Sequence, residues 1–408
     1  MFIQKNINKT KKVHISTFVF CYNYASEEQM ENYQNILYKK RAIESLAIII
    51  SQTEAKKILF LASKTAYQSF GTLVTNQLAL ADCEFVLKLL PSQCTKQNVQ
   101  DAILGARGCT LAIALGGASI CDITKIVATT LDMPFVLIPS MPSNFGYFTL
   151  DAYLQQENVY KKMCTNQAYK ILVDENIVTK ADRKQVVNGQ KLVLSLYEVL
   201  FSCQFDNLFY NDKKDLTNLK LQLSKFKDNY EYLQSDTDDS KLVLMDILIE
   251  LAKATEDMDS INVFDIAFCL KTKSNLPFGT LCLLASKILA NLYKQTFEIK
   301  NVYKLSLPNF DVIDQNLSSL NINKKDVNFT PLKSMFDNSI YKKINAIKNQ
   351  CLALCENLES QLSNFCLPKD KSELHLDDVC KVMNIVPLIY NCSSLVNMIY
   401  GMGLLNIC

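Results

Sequence analysis

Short apolar runs alternate with helix-like stretches over the first part of the chain. The strand-like runs cover residues 57–62, 83–89, 110–115, 135–138 and 169–174. Between them, apolar positions recur at the spacing of helices that bury one face, and the same spacing predicts a helix from Glu27 to Gln52. Strands that alternate with helices pair in parallel through right-handed crossovers, so the pattern predicts a doubly wound α/β sheet.

Strand-like alternation ends near residue 174, and helical periodicity dominates the rest of the chain. The predicted helices cover residues 186–209, 216–233, 241–254, 281–293, 340–365 and 379–405. The Asn-rich stretch 307–328 carries Pro308 and no sustained period, which predicts a long loop. We therefore expect a flexible tail at 1–12, an α/β nucleotide-binding domain at 13–178 and an all-helical domain at 179–408.

Composition narrows the function classes. The 408 residues are 49% hydrophobic, and 43 Lys and Arg stand against 41 Asp and Glu, a balance that gives no electrostatic case for nucleic acid. The 15 cysteines are scattered among apolar residues, as buried thiols are. The basic first residues lack the apolar core of a signal peptide, and no apolar run is long enough to span a membrane. A cytoplasmic protein is expected.

A pair of glycines, Gly116 and Gly117, ends the apolar run at 111–115, and a helix restarts at Ile120. Without Cβ atoms the backbone can turn sharply and approach a ligand closely, while the N–H groups that open the helix attract an anion. The pattern therefore favours a phosphate-binding turn. An ordinary strand-to-helix turn is the alternative.

A second loop of small and hydrogen-bonding residues, 139–146, follows the run at 135–138. In an open parallel sheet, ligands bind in the crevice outside the carboxyl ends of the strands. Both loops are therefore expected to face one nucleotide.

The residues of these two loops resemble those of the glycerol-1-phosphate dehydrogenases, within the superfamily of dehydroquinate synthases and iron-containing alcohol dehydrogenases. That family reads Gly-Gly-Gly, two or three residues, Asp, two residues, Lys, and later Pro-Thr-Thr, one residue, Ser. The matching positions in this chain are Gly116, Gly117, Asp122, Lys125, Pro139 and Ser143. Residues 391–405 are similar to the closing helix of the family and its Gly-Leu-Leu exit.

The resemblance implies an NAD or NADP cofactor. The implied cofactor contacts are Gly116, Gly117, Ala118, Ser119, Asp122, Lys125, Ser140, Ser143 and Ser63. Ala118 replaces the third glycine of the family, and its methyl group would crowd the diphosphate. Ser63 and Lys64 stand where an acidic residue would bind the ribose, and they suit a phosphorylated ribose better. Simpler interpretations stay open: a plain loop for this pair, a carboxylate at a helix start for Asp122, and a solvated side chain for Lys125.

The resemblance also implies a divalent metal held by one carboxylate and two histidines, and here the residues depart from the family. The chain has two histidines, His14 and His375, both away from the implied ligand positions. At those positions stand Leu192, Cys282 and Ser286, with Glu298 as the one candidate donor for the second histidine site, and Phe145 replaces an aspartate that contacts substrate. No zinc or iron is expected.

Two function classes follow. The first is an NAD(P)-dependent oxidoreductase that moves hydride to dihydroxyacetone phosphate or a related small polyol or ketone, with weakened or lost metal-dependent activity. The second is a non-catalytic nucleotide- or phosphate-binding pseudoenzyme with a regulatory or assembly role. A dehydroquinate synthase needs the same metal ligands and further basic residues, and is the least supported. The expected partner is a nucleotide or small phosphorylated molecule, and homo-oligomers stay open.

Overall fold

The computed structural model describes residues 35–211, 214–256, 258, 261–299, 310–323, 338–365, 376–383, 385–389 and 394–401. The predicted tail at 1–12, His14, His375 and parts of the closing segment 391–405 lie outside these residues.

A six-stranded parallel sheet forms the first part of the chain, in the order β1-β8-β5-β4-β2-β3. Its strands are β1 (Ile36–Lys39), β2 (Lys57–Ser63), β3 (Glu84–Leu90), β4 (Leu111–Gly116), β5 (Phe135–Pro139) and β8 (Lys170–Asp174). Between β5 and β8, the strands β6 (Asp151–Gln156) and β7 (Val159–Cys164) form a separate antiparallel hairpin.

Helices cover both faces of the sheet. They are α1 (Leu46–Gln52), α2 (Lys64–Leu80), α3 (Lys96–Gly105), α4 (Ala118–Leu131) and the short α5 (Glu175–Val178). Alternate side chains of β2 enter different cores: Leu59 and Leu61 join one hydrophobic cluster, and Ile58 and Phe60 join another. Because strands buried on both faces read as continuous apolar runs, the doubly wound sheet was predictable, and that prediction is confirmed.

The described residues after β8 are helical. The helices are α6 (Arg183–Tyr210), α7 (Thr217–Asp228), α8 (Tyr230–Leu233), α9 (Asp238–Thr255), α10 (Asn262–Lys271), α11 (Phe278–Glu298), α12 (Phe310–Ser319), α13 (Asn338–Ser363), α14 (Leu376–Met383), α15 (Val386–Ile389) and α16 (Ser394–Gly401). Helix α6 is buried over most of its length and packs along α11 and α13. Within the described part of the chain, no helix has the length and apolar content needed to cross a bilayer.

Three of the predicted elements are wrong. The helix predicted at 379–405 is broken at Ile385, which lies in a turn between α14 and α15. The single helix predicted up to Gln52 is interrupted, because residues 36–39 pair with β8 as a strand and the main-chain N–H of Ile43 donates to Asp174 Oδ2 at 2.9 Å. The predicted long loop at 307–328 contains α12, which buries Ile313 and Leu317, and Leu320 is buried in the turn that follows it. At residues 36–39 and in α12, packing against the rest of the protein determines whether the segment forms a strand or a helix, because the local pattern of polar and apolar residues favours neither.

Candidate functional site

The strand order reverses between β2 and β4. After β2 the chain moves outward to β3, and after β4 it moves the other way to β5, so the crevice between these strand ends is the position where open α/β sheets bind ligands. Ser63 ends β2 and Gly116 ends β4. A Cβ built on Gly116 would lie 3.5 Å from Ser63 Oγ, which shows how closely the two predicted site residues approach each other.

Ser63 has a structural role at this edge. Its Oγ accepts a hydrogen bond from the Ala66 N–H at 3.2 Å and caps α2. The side chain is buried, whereas the neighbouring Lys64 is exposed. Ser63 is therefore more than a plain loop residue, because it ends the strand and starts the helix.

The turn from Gly116 to Ser119 joins β4 to α4. Gly116 has φ +157°, and a Cβ there would lie 3.2 Å from Ile120 Cγ1, so packing itself restricts this position. Gly117 differs, because a Cβ there would meet nothing closer than the Met141 sulfur at 3.8 Å. Gly117, Ala118 and Ser119 are half-buried, so the turn stays open to solvent. The missing side chain at Gly117 leaves room beside the N-terminus of α4.

Tyr147 stands behind this turn and was missed by sequence reasoning. Its hydroxyl is hydrogen-bonded to the Ala118 main chain and lies 3.2 Å from Ser143 Oγ. Burial raises the pKa of Tyr147 well above its ordinary value, so the phenol stays neutral. Tyr147 thus lies against the first turn of α4 from the protein side.

Ser140 carries an unpartnered polar atom at the same place. Its main-chain N–H donates to the Gly116 carbonyl oxygen at 3.1 Å, which ties the loop after β5 to the glycine turn. Its side-chain Oγ is buried and has no hydrogen-bond partner among the residues that the structure describes. Such a hydroxyl costs about 1–3 kcal/mol when it stays unsatisfied, so it is suited to bind an anion that enters the turn.

Lys125 is buried, and the interpretation of Lys125 as a solvated side chain is wrong. Its Nζ donates to the carbonyl oxygens of Gly146, Thr149 and Asp151 at 2.5, 2.7 and 3.0 Å. Burial lowers the pKa of Lys125, while the Asp122 carboxylate opposes that shift. This ammonium holds the loop 146–151 against α4.

Asp122 faces the hairpin. Its Oδ2 accepts a hydrogen bond from the Tyr153 main-chain N–H at 3.4 Å. Burial raises the pKa of Asp122 to about 7, and the Lys125 ammonium limits that rise. Asp122 therefore joins α4 to β6 and is more than a favourable charge near a helix start.

Helix α6 meets the loop after β5 at Asn188 and Gly189. Asn188 Nδ2 donates to the Ser143 carbonyl oxygen at 3.2 Å, and Asn188 Oδ1 accepts from the Gly279 N–H at 2.7 Å. A Cβ on Gly189 would lie 2.1 Å from the Pro142 carbonyl oxygen. One residue pair of α6 thus joins the loop after β5 to the start of α11.

The positions implied for metal ligands lie along α6 and α11, which pack side by side. Leu192 and Cys282 are 0% exposed, and Ser286 Oγ already donates to the carbonyl oxygens of Ser195 and Cys282. Burial raises the pKa of the Cys282 thiol well above its ordinary value, which disfavours the thiolate that binds metals. Glu298 is exposed at the end of α11.

These side chains do not fit a catalytic divalent metal. Across the described residues, no group of three or more His, Cys, Asp or Glu side chains is arranged to hold a metal ion. Phe145, at the position of the substrate-contacting aspartate, is buried against Phe264 with 5.6 Å between ring centroids. Apolar packing therefore occupies the positions where the resemblance implies metal and substrate contacts.

The face of the hairpin that meets α10 carries charges that sequence reasoning missed. Lys162 lies opposite Tyr153 and pairs with Asp151 at 2.9 Å, and the Tyr153 ring stacks on Phe268 with 4.1 Å between centroids. Burial raises the pKa of Asp265 on α10 to about 8, and Lys162 limits that rise. The charges at this interface respond to pH near neutrality.

Replacing Asp265 by asparagine is expected to raise the melting temperature at pH 9 and to change it little near pH 4. The folded pKa of about 8 lies above the ordinary 3.8, so the contribution of Asp265 to stability is complete below about pH 4. That contribution is lost as the pH rises through 8, and an uncharged amide avoids the loss. Thermal unfolding at both pH values measures the difference.

The control is Asp215→Asn. Asp215 is exposed, and its Oδ1 accepts from the Thr217 N–H at 2.9 Å. Hydrogen bonds from the Thr217 side chain and then from its main-chain N–H lower the pKa of Asp215. A lowered pKa gives stability that is present at high pH, so this variant should show no gain at pH 9. Equal melting temperatures for Asp265→Asn and the parent chain at pH 9 would contradict the prediction.

Comparison with known proteins agrees with this architecture. Residues 37–182 match the family model described as iron-containing alcohol dehydrogenase. The glycerol-1-phosphate dehydrogenase (NAD(P)+) of Methanosphaerula palustris is 23% identical over 152 residues, covering 37% of this chain and 42% of that protein. The corresponding protein of Geobacillus thermodenitrificans is 20% identical over 227 residues, covering 53% and 56%. The chain therefore spans about half the length of the curated relatives that it matches.

Solved structures share the fold over most of the chain. An alcohol dehydrogenase of an archaeal halo-thermophile from a Red Sea brine pool has a TM-score of 0.62 and 13% identity, covering 91% of this chain and 96% of that one. A sulfoacetaldehyde reductase from Bifidobacterium kashiwanohense, solved in complex with NAD+, has a TM-score of 0.58 and 11% identity, covering 90% and 96%. These matches confirm the predicted fold class. The family-model match and the curated relatives confirm the resemblance to the glycerol-1-phosphate dehydrogenases and the iron-containing alcohol dehydrogenases.

Proposed function

We propose that this chain is a divergent relative of the glycerol-1-phosphate dehydrogenases that binds NAD or NADP, with metal-dependent hydride transfer to dihydroxyacetone phosphate or a related small ketone weakened or lost. Residues 13–178 would bind the dinucleotide, and residues 179–408 would carry the substrate side. The observation that carries the proposal is the buried, unpartnered hydroxyl of Ser140 beside the Gly116–Gly117 turn. The thiol state of the described cysteines suits the reducing cytoplasm that we propose as the location.

Four features of the crevice support dinucleotide binding. The turn lies where the strand order reverses, and the fourteen-residue α4 directs its N-terminus toward it. Gly117 leaves room that a side chain would fill, and Ser140 offers a donor. The named cofactor of the curated relatives and the NAD+ bound by one structural neighbour are consistent with this ligand class.

The substrate side supports weakened or lost chemistry. In metal-dependent dehydrogenases the metal polarises the substrate oxygen. Leu192 offers no ligand atom, Ser286 Oγ is committed to two carbonyl oxygens, and Phe145 cannot bind a hydroxyl group. In the proposed mechanism this chain's own residues bind and orient the cofactor, and we assign no residue to proton transfer. We propose that the protein works without zinc or iron.

A non-catalytic nucleotide- or phosphate-binding protein, with a regulatory or assembly role, is the second candidate. The observation that favours it is the complete burial of Leu192 and Cys282, which leaves the implied metal site packed with apolar and neutral groups. Both candidates share the phosphate-binding turn. They differ only in whether bound cofactor exchanges hydride.

NADH and NADPH are expected to bind to protein dialysed against a chelator, as measured by cofactor fluorescence. Gly117→Val should weaken binding about tenfold or more, because a charge-assisted hydrogen bond to the diphosphate contributes about 1.5–3 kcal/mol and the added side chain blocks it. The smaller change Gly117→Ala should keep the unfolding midpoint of the parent chain, since a Cβ there would come no closer than 3.8 Å to Met141, and it separates weakened binding from a packing defect. Ser140→Ala should weaken binding while removing only the unpartnered hydroxyl.

Measurements of enzymatic activity and metal content distinguish the two candidate functions. Zinc-dependent reduction of dihydroxyacetone phosphate at a rate usual for such enzymes would refute the loss of metal chemistry. Binding of cofactor without reduction of any small ketone would favour the second candidate. Failure of both dinucleotides to bind the parent chain would refute the proposed site itself.

A further inference from the structure

Strand β3 leaves one edge of the sheet open. It is the last strand in the sheet order and pairs with β2, and no other described residue pairs with it. The Glu84 N–H donates to the Lys56 carbonyl oxygen at 3.0 Å, so alternate residues from Glu84 onward turn their main-chain groups toward β2. The main-chain N–H and C=O groups of Phe85, Leu87 and Leu89 therefore point away from β2.

The side chains of this edge are apolar on one face and charged on the other. Phe85 is 39% exposed and Leu89 is 47% exposed. Glu84 and Lys88 lie on the opposite face, with Val86 midway between them. An exposed apolar edge strand is a site for pairing with another chain unless something covers it.

We propose that β3 pairs antiparallel with β3 of a second copy of this chain, about a two-fold axis through Val86, so that the two six-stranded sheets become one. In this register Glu84 lies opposite Lys88 of the second copy, and the reverse pair repeats across the axis. Phe85 and Leu87 then exchange main-chain hydrogen bonds with their counterparts, about four bonds in all.

The charges of Glu84 and Lys88 favour this register over the two registers whose axes pass through Leu87 or Lys88. An axis through Leu87 would place each Lys88 opposite Val86, and an axis through Lys88 would bring two lysines together. A single lysine on a free edge ordinarily opposes pairing. Here the stem of Lys88 lies against α3, where a Cβ on Gly105 would be 2.5 Å from Lys88 Cε, and Glu84 supplies the opposite charge four residues away.

Cysteine cross-linking measures the register directly. Opposed residues at non-hydrogen-bonded positions of an antiparallel pair have Cα atoms about 4.5 Å apart, close enough for a disulfide. Under mild oxidation, Val86→Cys should give covalent dimers in higher yield than Leu87→Cys or Lys88→Cys, and the unmodified chain sets the background from native cysteines. The highest yield at Lys88→Cys or Leu87→Cys would overturn the register.

Sedimentation velocity measures the association. The parent chain is expected to dimerise, and Lys88→Glu should weaken the dimer about tenfold or more, because two like-charge pairs replace two ion pairs. The double variant Glu84→Lys/Lys88→Glu should restore the dimer, and Lys227→Glu, an exposed residue of α7, should leave it unchanged.

Circular dichroism shows whether each variant keeps its fold, so that loss of the dimer is separated from unfolding. A parent chain that stays monomeric at tens of micromolar would overturn the proposal. So would a dimer that is insensitive to Lys88→Glu. None of these measurements uses cofactor or activity, so the result is independent of the proposed function.

Discussion

Replacing Lys125 by methionine is expected to lower the free energy of unfolding by about 3–5 kcal/mol, because three carbonyl oxygens would lose their donor and each unsatisfied group costs about 1–3 kcal/mol. Methionine fills nearly the same volume, so the loss comes from polarity. The carbonyl oxygens of Gly146, Thr149 and Asp151 would lose their shared donor inside the protein. The Asp122 carboxyl would also lose the nearby cation that keeps its pKa from rising further. Chemical denaturation followed by circular dichroism measures the change.

The matched control is Lys287→Met on α11. Lys287 is exposed, and substitutions at such positions usually change stability by less than about 0.5 kcal/mol. A second readout is the loop itself: limited proteolysis at 146–151 should become faster in Lys125→Met and stay unchanged in the control. If Lys125→Met matched the control in stability, the three hydrogen bonds would not be what holds this loop.

The fold was largely predictable because its central strands are buried on both faces. The runs at 58–62 and 111–115 are apolar throughout, because every residue from Ile58 to Ala62 and from Leu111 to Leu115 is buried. The glycine pair marks the break between β4 and α4 in the sequence. At Gly117 the neighbouring residues leave space for a Cβ, so packing does not require a side chain there.

The missed elements have weaker local signals. The hairpin β6–β7 turns at Glu157 and Asn158, with Glu157 at φ +56°, and lacks the Asn-Gly or Asp-Gly pair that usually marks such a turn. Its polar residues alternate only partly with buried ones, since the tyrosines of both strands pack on Phe268. Packing against α10 therefore stabilises a hairpin that its own sequence marks poorly.

The position of the candidate site in the fold could be predicted from the sequence, but most of its hydrogen bonds could not. The rule for parallel sheets brings Ser63, Gly116 and Ser140 to one edge. The partner of Asn188, however, is 91 residues away at Gly279, and the carbonyl oxygens bound by Lys125 are 21 to 26 residues away. Hydrogen bonds between segments so far apart leave no periodic trace in the sequence.

Gly189→Ala is expected to lower the free energy of unfolding by about 1–3 kcal/mol, the usual cost of overpacking, although alanine is the better helix former by about 1 kcal/mol. The added Cβ would lie 2.1 Å from the Pro142 carbonyl oxygen and 3.2 Å from Ser143 Cα. Both are main-chain atoms, so α6 and the loop after β5 must separate. Denaturation by urea measures the loss.

The control is Gly105→Ala, another glycine in a helix. Its Cβ would meet Lys88 Cε at 2.5 Å, and that flexible chain can move away at little cost, so this variant should be neutral or slightly more stable. The loop displaced by Gly189→Ala carries Ser140, so the same variant should also weaken dinucleotide binding, whereas Gly105→Ala should not. Equal stability of the two variants would mean that the loop yields freely and that α6 does not position the nucleotide site.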